Sequence, residues 1–390
     1  MDNPVASAGG SPHMRVFFTV QGEGRGHLTQ ALALRAMLAR RGHEVVGVVV
    51  GHNGQRPVPG YFEAGIGAPV WVQRSPGFVF KGARGVCAGA TLYDVGLGLP
   101  TYLRSLWHLR RHLRQCQPEV VVNFLEPLMG LHNALFGARV PTVVVGHQYL
   151  LEHPVFPRVA DFPVSRRIMR AYLQVVGARS ARLALSFYPA PPLPERRLTV
   201  CPPLLRAQLF EQVVTEGNYL LVYLLNHGYA EAIRKWHKRH PHVLIHCFYD
   251  KPGAPDEEQA APNLCFHRLN GEKFLRLMAG CRAVVTTAGF ETVCEAAWLR
   301  KPLLMVPVEN HVEQYLNAWD AEQAGLGMRD TTFQLSRLLA PDCPVAPAGF
   351  REWVARAPSV AVTTIETWAT HNCPLELPAE ARPVADGVTL

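Results

Sequence analysis

The sequence predicts an α/β chain of two domains, each a parallel sheet flanked by helices, with the carboxyl ends of the two sheets facing each other across a cleft. Three observations carry this. Arg15 to Val20 is a short apolar run that opens onto Gly22-Glu23-Gly24-Arg25-Gly26-His27 and then a helical pattern. Ala283 to Thr286 closes a second apolar run, after which Ala288-Gly289 turns the chain into a helical pattern from Phe290 to Leu299. Between them Pro189, Pro191, Pro192, Pro194, Pro202 and Pro203 crowd a stretch that reads as a connection and not an element.

The bulk properties agree. A chain of 390 residues with 48% hydrophobic residues is long for one core and sufficient for two. Its net charge of +8 and pI of about 9.1 favour acidic partners: nucleotides, nucleic acid or anionic lipid headgroups. Nine cysteines without a C-x-x-C pair fit a reduced compartment, so the chain reads as cytoplasmic. Residues 1–13 lack a basic start followed by an apolar run and read as a disordered leader. No apolar segment reaches the roughly 18 residues of a membrane span, so contact with a membrane would be peripheral.

The first domain is expected over residues 14–188. A helix from Leu28 to Arg41 follows the glycine turn, and Glu44 to Val50 returns as a strand, which implies parallel pairing through a right-handed crossover and a Rossmann-like start. That strand ends Val49-Val50-Gly51, without the acidic residue a dinucleotide site uses. Residues 51–100 are rich in glycine and proline and read as long loops suited to an acceptor, with short strands at Pro69 to Val72 and Phe78 to Phe80. Tyr102 to Gln115 is an amphipathic helix in which Leu103, Leu106, Trp107, Leu109 and Leu113 alternate with basic residues. It reads as a core-facing helix with a solvated basic side, or as a helix on an anionic membrane surface. Val120 to Phe124, a helix at Met129 to Phe136, and Thr142 to Val145 extend the sheet to at least five strands. Glu126, His147 and Gln148 fall at its carboxyl rim, where open α/β folds bind ligands, and are acceptor-binding candidates; a polar group merely satisfied at a strand end is the alternative for each. Ser165 to Ala181 reads as a basic helix and Leu183 to Ser186 as the last strand.

Residues 189–216 form the expected linker and 217–340 the second domain. Its elements are strands at Tyr219 to Leu225, Val243 to Phe248 and Leu264 to His267, with helices at Ala230 to Arg239 and Gly271 to Ala279 and a charged loop at Asp250 to Pro262. Residues 341–390 read as an extension, with helices at Phe350 to Ala355 and Val360 to Trp368 interrupted by Pro358 and a mobile end.

A helix that begins directly after a strand and a glycine presents unpaired N–H groups and its positive dipole end, and so suits a phosphate. Thr292 and Glu295, three apart on that helix, share a face. A diphosphate at Gly289 would find a hydroxyl and a carboxylate beside it, the latter able to accept from two ribose hydroxyls.

The segments GEGRGHLTQAL and TTAGFETVCEAAWLRKPLLMVPVENHVEQYLNA together resemble the GT-B nucleotide-sugar glycosyltransferases related to the peptidoglycan lipid-linked N-acetylglucosaminyltransferase and the galactolipid synthases. The resemblance implies that the second domain holds the donor: the backbone of Ala288, Gly289 and Phe290 and the Thr292 hydroxyl at the diphosphate, Glu295 at the ribose, Glu313 and Gln314 at the sugar. Gly24 and Gly26 would let the first domain's backbone approach the donor phosphates. Inverting transfer needs a base for the acceptor hydroxyl, and His27 is the candidate. The leaving diphosphate would be stabilised by helix N-termini and not by a metal. No D-x-D motif occurs, and His240, His242 and the scattered cysteines lack zinc spacing. The expectation is thus a metal-independent inverting glycosyltransferase with a UDP-sugar as substrate, a hydroxyl acceptor and no cofactor. A nucleotide-sugar epimerase of the same fold is the second reading. A non-catalytic binder of nucleotide or anionic lipid, motivated by the basic segments Arg104 to Arg114 and Arg166 to Arg182, is the third. Nucleic acid is disfavoured because those segments lack interleaved aromatic platforms.

Overall fold

The computed structural model describes residues 13–371 apart from 55–57, 77–79, 82–84, 87, 157, 158, 160, 226 and 252. The expected leader, the chain end and most of the Phe78 to Phe80 strand lie outside the described residues.

The first domain runs β1 (Arg15–Gln21), α1 (Arg25–Arg40), β2 (Glu44–His52), α2 (Gly60–Ile66), β3 (Val70–Arg74), the small hairpin β4 (Phe80–Lys81) and β5 (Gly85–Val86), then α3 (Ala88–Cys116), β6 (Val120–Phe124), α4 (Pro127–Phe136), β7 (Thr142–Val145), α5 (Pro163–Val176), β8 (Ala181–Leu185) and β9 (Leu198–Cys201). Its seven-stranded sheet is parallel throughout, in the order β3-β2-β1-β6-β7-β8-β9. Valine-rich strands such as β6 and β7 are buried along their whole length because helices cover both faces. Helix α1 buries Leu28, Ala31, Leu34 and Leu38, one stripe of a 3.6-residue period.

The second domain runs α6 (Ala207–Phe210), β10 (Tyr219–Leu224), α7 (Ala230–Arg239), β11 (Leu244–Tyr249), β12 (Glu257–Ala261), β13 (Leu264–Arg268), α8 (Gly271–Gly280), β14 (Ala283–Thr286), α9 (Phe290–Trp298), β15 (Leu303–Met305), α10 (Val312–Gln323) and β16 (Met328–Arg329). Its sheet has the order β12-β13-β11-β10-β14-β15-β16, with β12 the one antiparallel member. In both sheets the strand order reverses beside the first strand, at β1/β6 and at β10/β14. The crevice at such a switch point is where doubly wound folds bind ligands. Helices α11 (Gly349–Ala355) and α12 (Ala357–His371) finish the described chain.

Several expectations are corrected. Helix α1 starts at Arg25, not Leu28, so Gly26 and His27 lie in its first turn. Residues 51–100 are not mainly loop: α2 and the first half of α3 lie there, and α3 continues past Pro100. The proline-rich linker holds β9, which pairs with β8, because its prolines flank Leu198–Cys201 and leave that strand's N–H groups intact. The Asp250 to Pro262 loop contains β12, whose pattern is masked by its charged edge position. The break between the last two helices falls at Arg356 and not at Pro358, which sits in the first turn of α12, where a missing N–H costs nothing. The extension returns to the first domain. Glu366 of α12 accepts from Arg41 Nη2 at 2.9 Å and pairs with His43 Nε2 at 2.8 Å, and Trp368 is buried in an apolar cluster that includes Leu34 of α1 and Ala297 of α9. On α3, Leu106, Leu109 and Leu113 face the core, whereas Leu103 and Trp107 are exposed.

Candidate active site

At the second switch point, β14 delivers the chain to Ala288, whose φ of +58° lies in the left-handed region that an alanine adopts at a cost. Asn317 of α10 holds this turn by donating from Nδ2 to the Ala288 carbonyl at 3.1 Å. Gly289 then caps α9, and a Cβ added there or at Gly24 would meet no atom within 4 Å, so both backbones are open to approach. Phe290, the first helical residue, directs its ring into the first domain, 4.4 Å from the His147 ring and 4.8 Å from that of Phe187.

One turn further, Glu295 is nearly fully buried and gripped by Arg206, which donates from Nε at 2.6 Å and from Nη2 at 3.0 Å. Glu291, on the same face, accepts from Gln30 Nε2 at 2.8 Å, while its second oxygen has no partner. Burial pushes Glu291 up to about 8, only partly offset by the Gln30 hydrogen bond. Thr292 is half-buried on the opening turn.

The first domain meets this helix with α1. Gly26 lies against α9: a Cβ there would be in ordinary contact with the Glu291 side chain at 3.5 Å. His27 Nδ1 is 3.2 Å from Gln30 Oε1. With the Gln30 amide nitrogen committed to Glu291, its oxygen accepts from His27 Nδ1–H and leaves Nε2 as the basic atom. Burial lowers the His27 pKa, so the ring is neutral at pH 7. Sequence-predicted residues from both domains, His27, Gly26 and Glu295, are therefore neighbours in one chain of contacts completed by Gln30, Glu291 and Arg206.

The rim residues divide. Glu313 is hydrogen-bonded to the Gln148 side chain across the cleft, and burial pushes its carboxyl up to about 7. His147, Gln148, Leu151, Met169, Glu313 and Asn317 border a cavity of about 10 Å³, room for about one water. Gln314 is buried and accepts at Oε1 from the Val308 N–H at 2.9 Å. Glu126 is committed within the first domain. It is fully buried and caps α4 through Leu128 N at 2.7 Å, while its other oxygen accepts from Ser75.

Sequence reasoning missed Gln30, Glu291, Arg206 and Asp320. Glu291 was legible, being four residues before Glu295 and so on its face; Arg206, alone after the prolines, carried no pattern. It also missed a cluster on the second sheet, where His246, Cys265 and His267 place ligand atoms within 4.8 Å of one another. Strand pairing, not chain spacing, assembles it: His246 is opposite Cys265, and His267 follows on the same face. Lys273 Nζ lies 2.9 Å from His267 Nδ1, and His246 Nδ1 lies 2.9 Å from His267 Nε2, so both nitrogens of that ring already face a polar neighbour.

Two facing α/β domains with switch-point crevices turned toward each other define a GT-B glycosyltransferase fold. The solved structures with this fold include the glycosyltransferase of kitacinnamycin (TM-score 0.60, 18% identity, covering 91% of this chain and 99% of that one) and MurG of Acinetobacter baumannii (TM-score 0.52, 18% identity, 91% and 100%). The Arabidopsis thaliana enzyme UGT89C1 complexed with UDP-L-rhamnose matches with a TM-score of 0.57 at 13% identity over 91% and 95% of the chains. An uncharacterized glycosyltransferase of Methanosarcina acetivorans is 24% identical over 352 residues, 81% of this chain and 83% of that protein. Residues 14–339 match the family model of glycosyl transferase family 1, and the chain belongs to that family. It is a glycosyltransferase.

Proposed function

We propose that the protein is a metal-independent inverting glycosyltransferase that moves a sugar from a nucleoside diphosphate, UDP most directly, to a hydroxyl acceptor. The observation that carries this reading is the Gln30 bridge, which sets His27 of the first domain against the donor-type helix start of the second. His27 Nε2 takes the proton from the acceptor hydroxyl as that oxygen bonds to the anomeric carbon. The bond from the anomeric carbon to the diphosphate oxygen breaks on the opposite side, and the electron pair leaves with the nucleotide. The N–H groups at Gly289 and Phe290, with the Thr292 hydroxyl, receive that charge. Glu295 turns from Arg206 to the ribose, and Glu313 with Gln314 contacts the sugar once the cleft has opened. His147 and Gln148 face the acceptor. The UDP-L-rhamnose bound by the Arabidopsis relative supports a UDP-sugar. A thermal-shift series with UDP, dTDP, GDP and CDP tests it, since a ligand of the folded state alone raises stability with concentration. A shift by none of the four sinks the reading.

The same reading includes peripheral contact with an anionic membrane, supported by an apolar face on the first domain. Leu99, Leu103 and Trp107 are exposed at successive turns of α3, Leu135 and Phe136 at the end of α4, and Val164 and Ile168 on α5, with α4 packed between the other two. Arg104, Arg111, Arg114, Arg167 and Arg170 are exposed on these helices, and neither α5 nor α3 from Gly98 onward carries an acidic residue. Co-sedimentation with phosphatidylglycerol vesicles but not with phosphatidylcholine vesicles is expected, and Trp107→Glu should weaken it.

A further inference from the structure

His147 and Asp320 meet across the closed cleft, one from each domain, in an arrangement that is complete only with one added proton. His147 opens the 3-10 turn after β7, and its Nδ1 is 2.8 Å from the Leu185 carbonyl. A carbonyl only accepts, so Nδ1 carries a hydrogen and Nε2 of the neutral ring is a bare acceptor. Asp320, on α10, accepts at Oδ1 from the Tyr188 hydroxyl at 2.6 Å. Its Oδ2 lies 3.5 Å from His147 Nε2; both atoms are buried and neither has another hydrogen-bond partner. An ionised carboxylate here would set two acceptors against each other away from water, leaving both unsatisfied. A single proton shared by the pair removes both defects.

We propose that Asp320 is the positioning residue for His147, and that shutting the cleft takes up one proton into this pair. The consequence for donor engagement rests on the reading above; the coupling of closure to protons is a property of the chain alone.

The surroundings favour it. The rings of Phe156, Phe187 and Phe290 wall the imidazole from solvent at 6.5, 5.0 and 4.4 Å. The titratable groups around the pair are Tyr188 from the segment after β8, Cys294 from α9, and Glu313 from α10 with its Gln148 partner from the 3-10 turn. Burial raises Tyr188 and Cys294, which keeps both neutral at pH 7. It also raises Asp320 and lowers His147, so the shared proton resides on the carboxyl. With the cleft open both groups return toward their ordinary values of about 3.9 and about 6.5, and above neutrality the open pair holds no such proton. The closed form therefore binds the proton more tightly, and closure weakens as pH rises.

Small-angle X-ray scattering of the full, ligand-free chain from pH 6 to pH 9 tests this with Asp320→Asn, which keeps an acceptor for Tyr188 and offers Nε2 an N–H without a proton from solvent. The wild type should lose on the order of tenfold in its closed-to-open ratio and expand, given the cost of two buried unsatisfied groups. D320N should lose less and expand less over the same range, keeping only the response that the buried Glu291 and Glu313 carboxyls give. Glu291 and Glu313 are common to both proteins, so the difference isolates Asp320. The same pH course in both, including no response in either, overturns the proposal. Should D320N not fold, H147Q places an amide N–H toward the ionised Asp320 and should flatten the response in the same way; an unchanged slope is again fatal. UDP titrated at pH 7 reads the donor assignment separately from either outcome.

Discussion

Arg206, in the segment that joins the domains, grips Glu295 of α9 with two hydrogen bonds of 2.6 and 3.0 Å. The carboxylate that the donor reading assigns to the ribose is thus already held by a guanidinium, and a nucleotide must exchange one partner for the other. Removing one member of such a buried pair leaves the other charge uncompensated. Arg206→Met should destabilise the fold by roughly 3 kcal/mol in urea denaturation, with Arg206→Met/Glu295→Gln recovering part of the loss. Additive effects in that cycle would mean that the pair is not coupled.

His27→Ala should lower kcat by about 10²- to 10⁴-fold with little change in the donor KM, the span typical of a lost general base. Because burial lowers the His27 pKa below its ordinary value, kcat/KM should be level through neutral pH and fall only on the acid side, as the ring gains its proton. Gln30→Ala should lower kcat to a lesser extent, since the bond to Nδ1 that leaves Nε2 basic is lost. A His27→Ala enzyme with wild-type kcat would remove the base assignment and leave the fold class untouched.

Glu291 makes stability depend on pH in a definite direction. Its folded pKa is raised to about 8 from an unfolded value near 4.5, so its favourable contribution is complete below about 4.5 and is lost as pH rises toward 8. Glu291→Gln keeps an acceptor for Gln30 and cannot ionise. It should match the wild-type Tm at pH 5 and exceed it at pH 8, in scans at both values.

The turn before α9 stores strain at Ala288. Ala288→Gly should stabilise the protein by about 0.5–1 kcal/mol, because glycine adopts a positive φ freely. Asn317→Ala should cost about 1–3 kcal/mol by leaving the buried Ala288 carbonyl unpaired. It should also weaken UDP binding, measured by calorimetry, because the helix start loses its fixed position.

The sequence by itself determined the elements whose signals are local. Strands Thr142–Val145 and Ala283–Thr286, helix Ala230–Arg239 and the helix start at Phe290 were all legible from short apolar runs, glycine turns and period, and the two-domain α/β class with them; the GT-B family was legible only through the resemblance of two segments. Leu198–Cys201 was not, because four residues among prolines become a strand only when β8 is beside them. Nor was the return of α12 onto the first domain, which depends on where the second domain leaves the chain. Only the tertiary structure decided the partners of the site. Gln30 with Glu291, Arg206 with Glu295 and His147 with Asp320 lie 261, 89 and 173 residues apart, and their contacts follow from how the two domains close. Periodicity is written in neighbouring residues. A hydrogen bond across a cleft is set by two sheets and the connection between them, which no local pattern records.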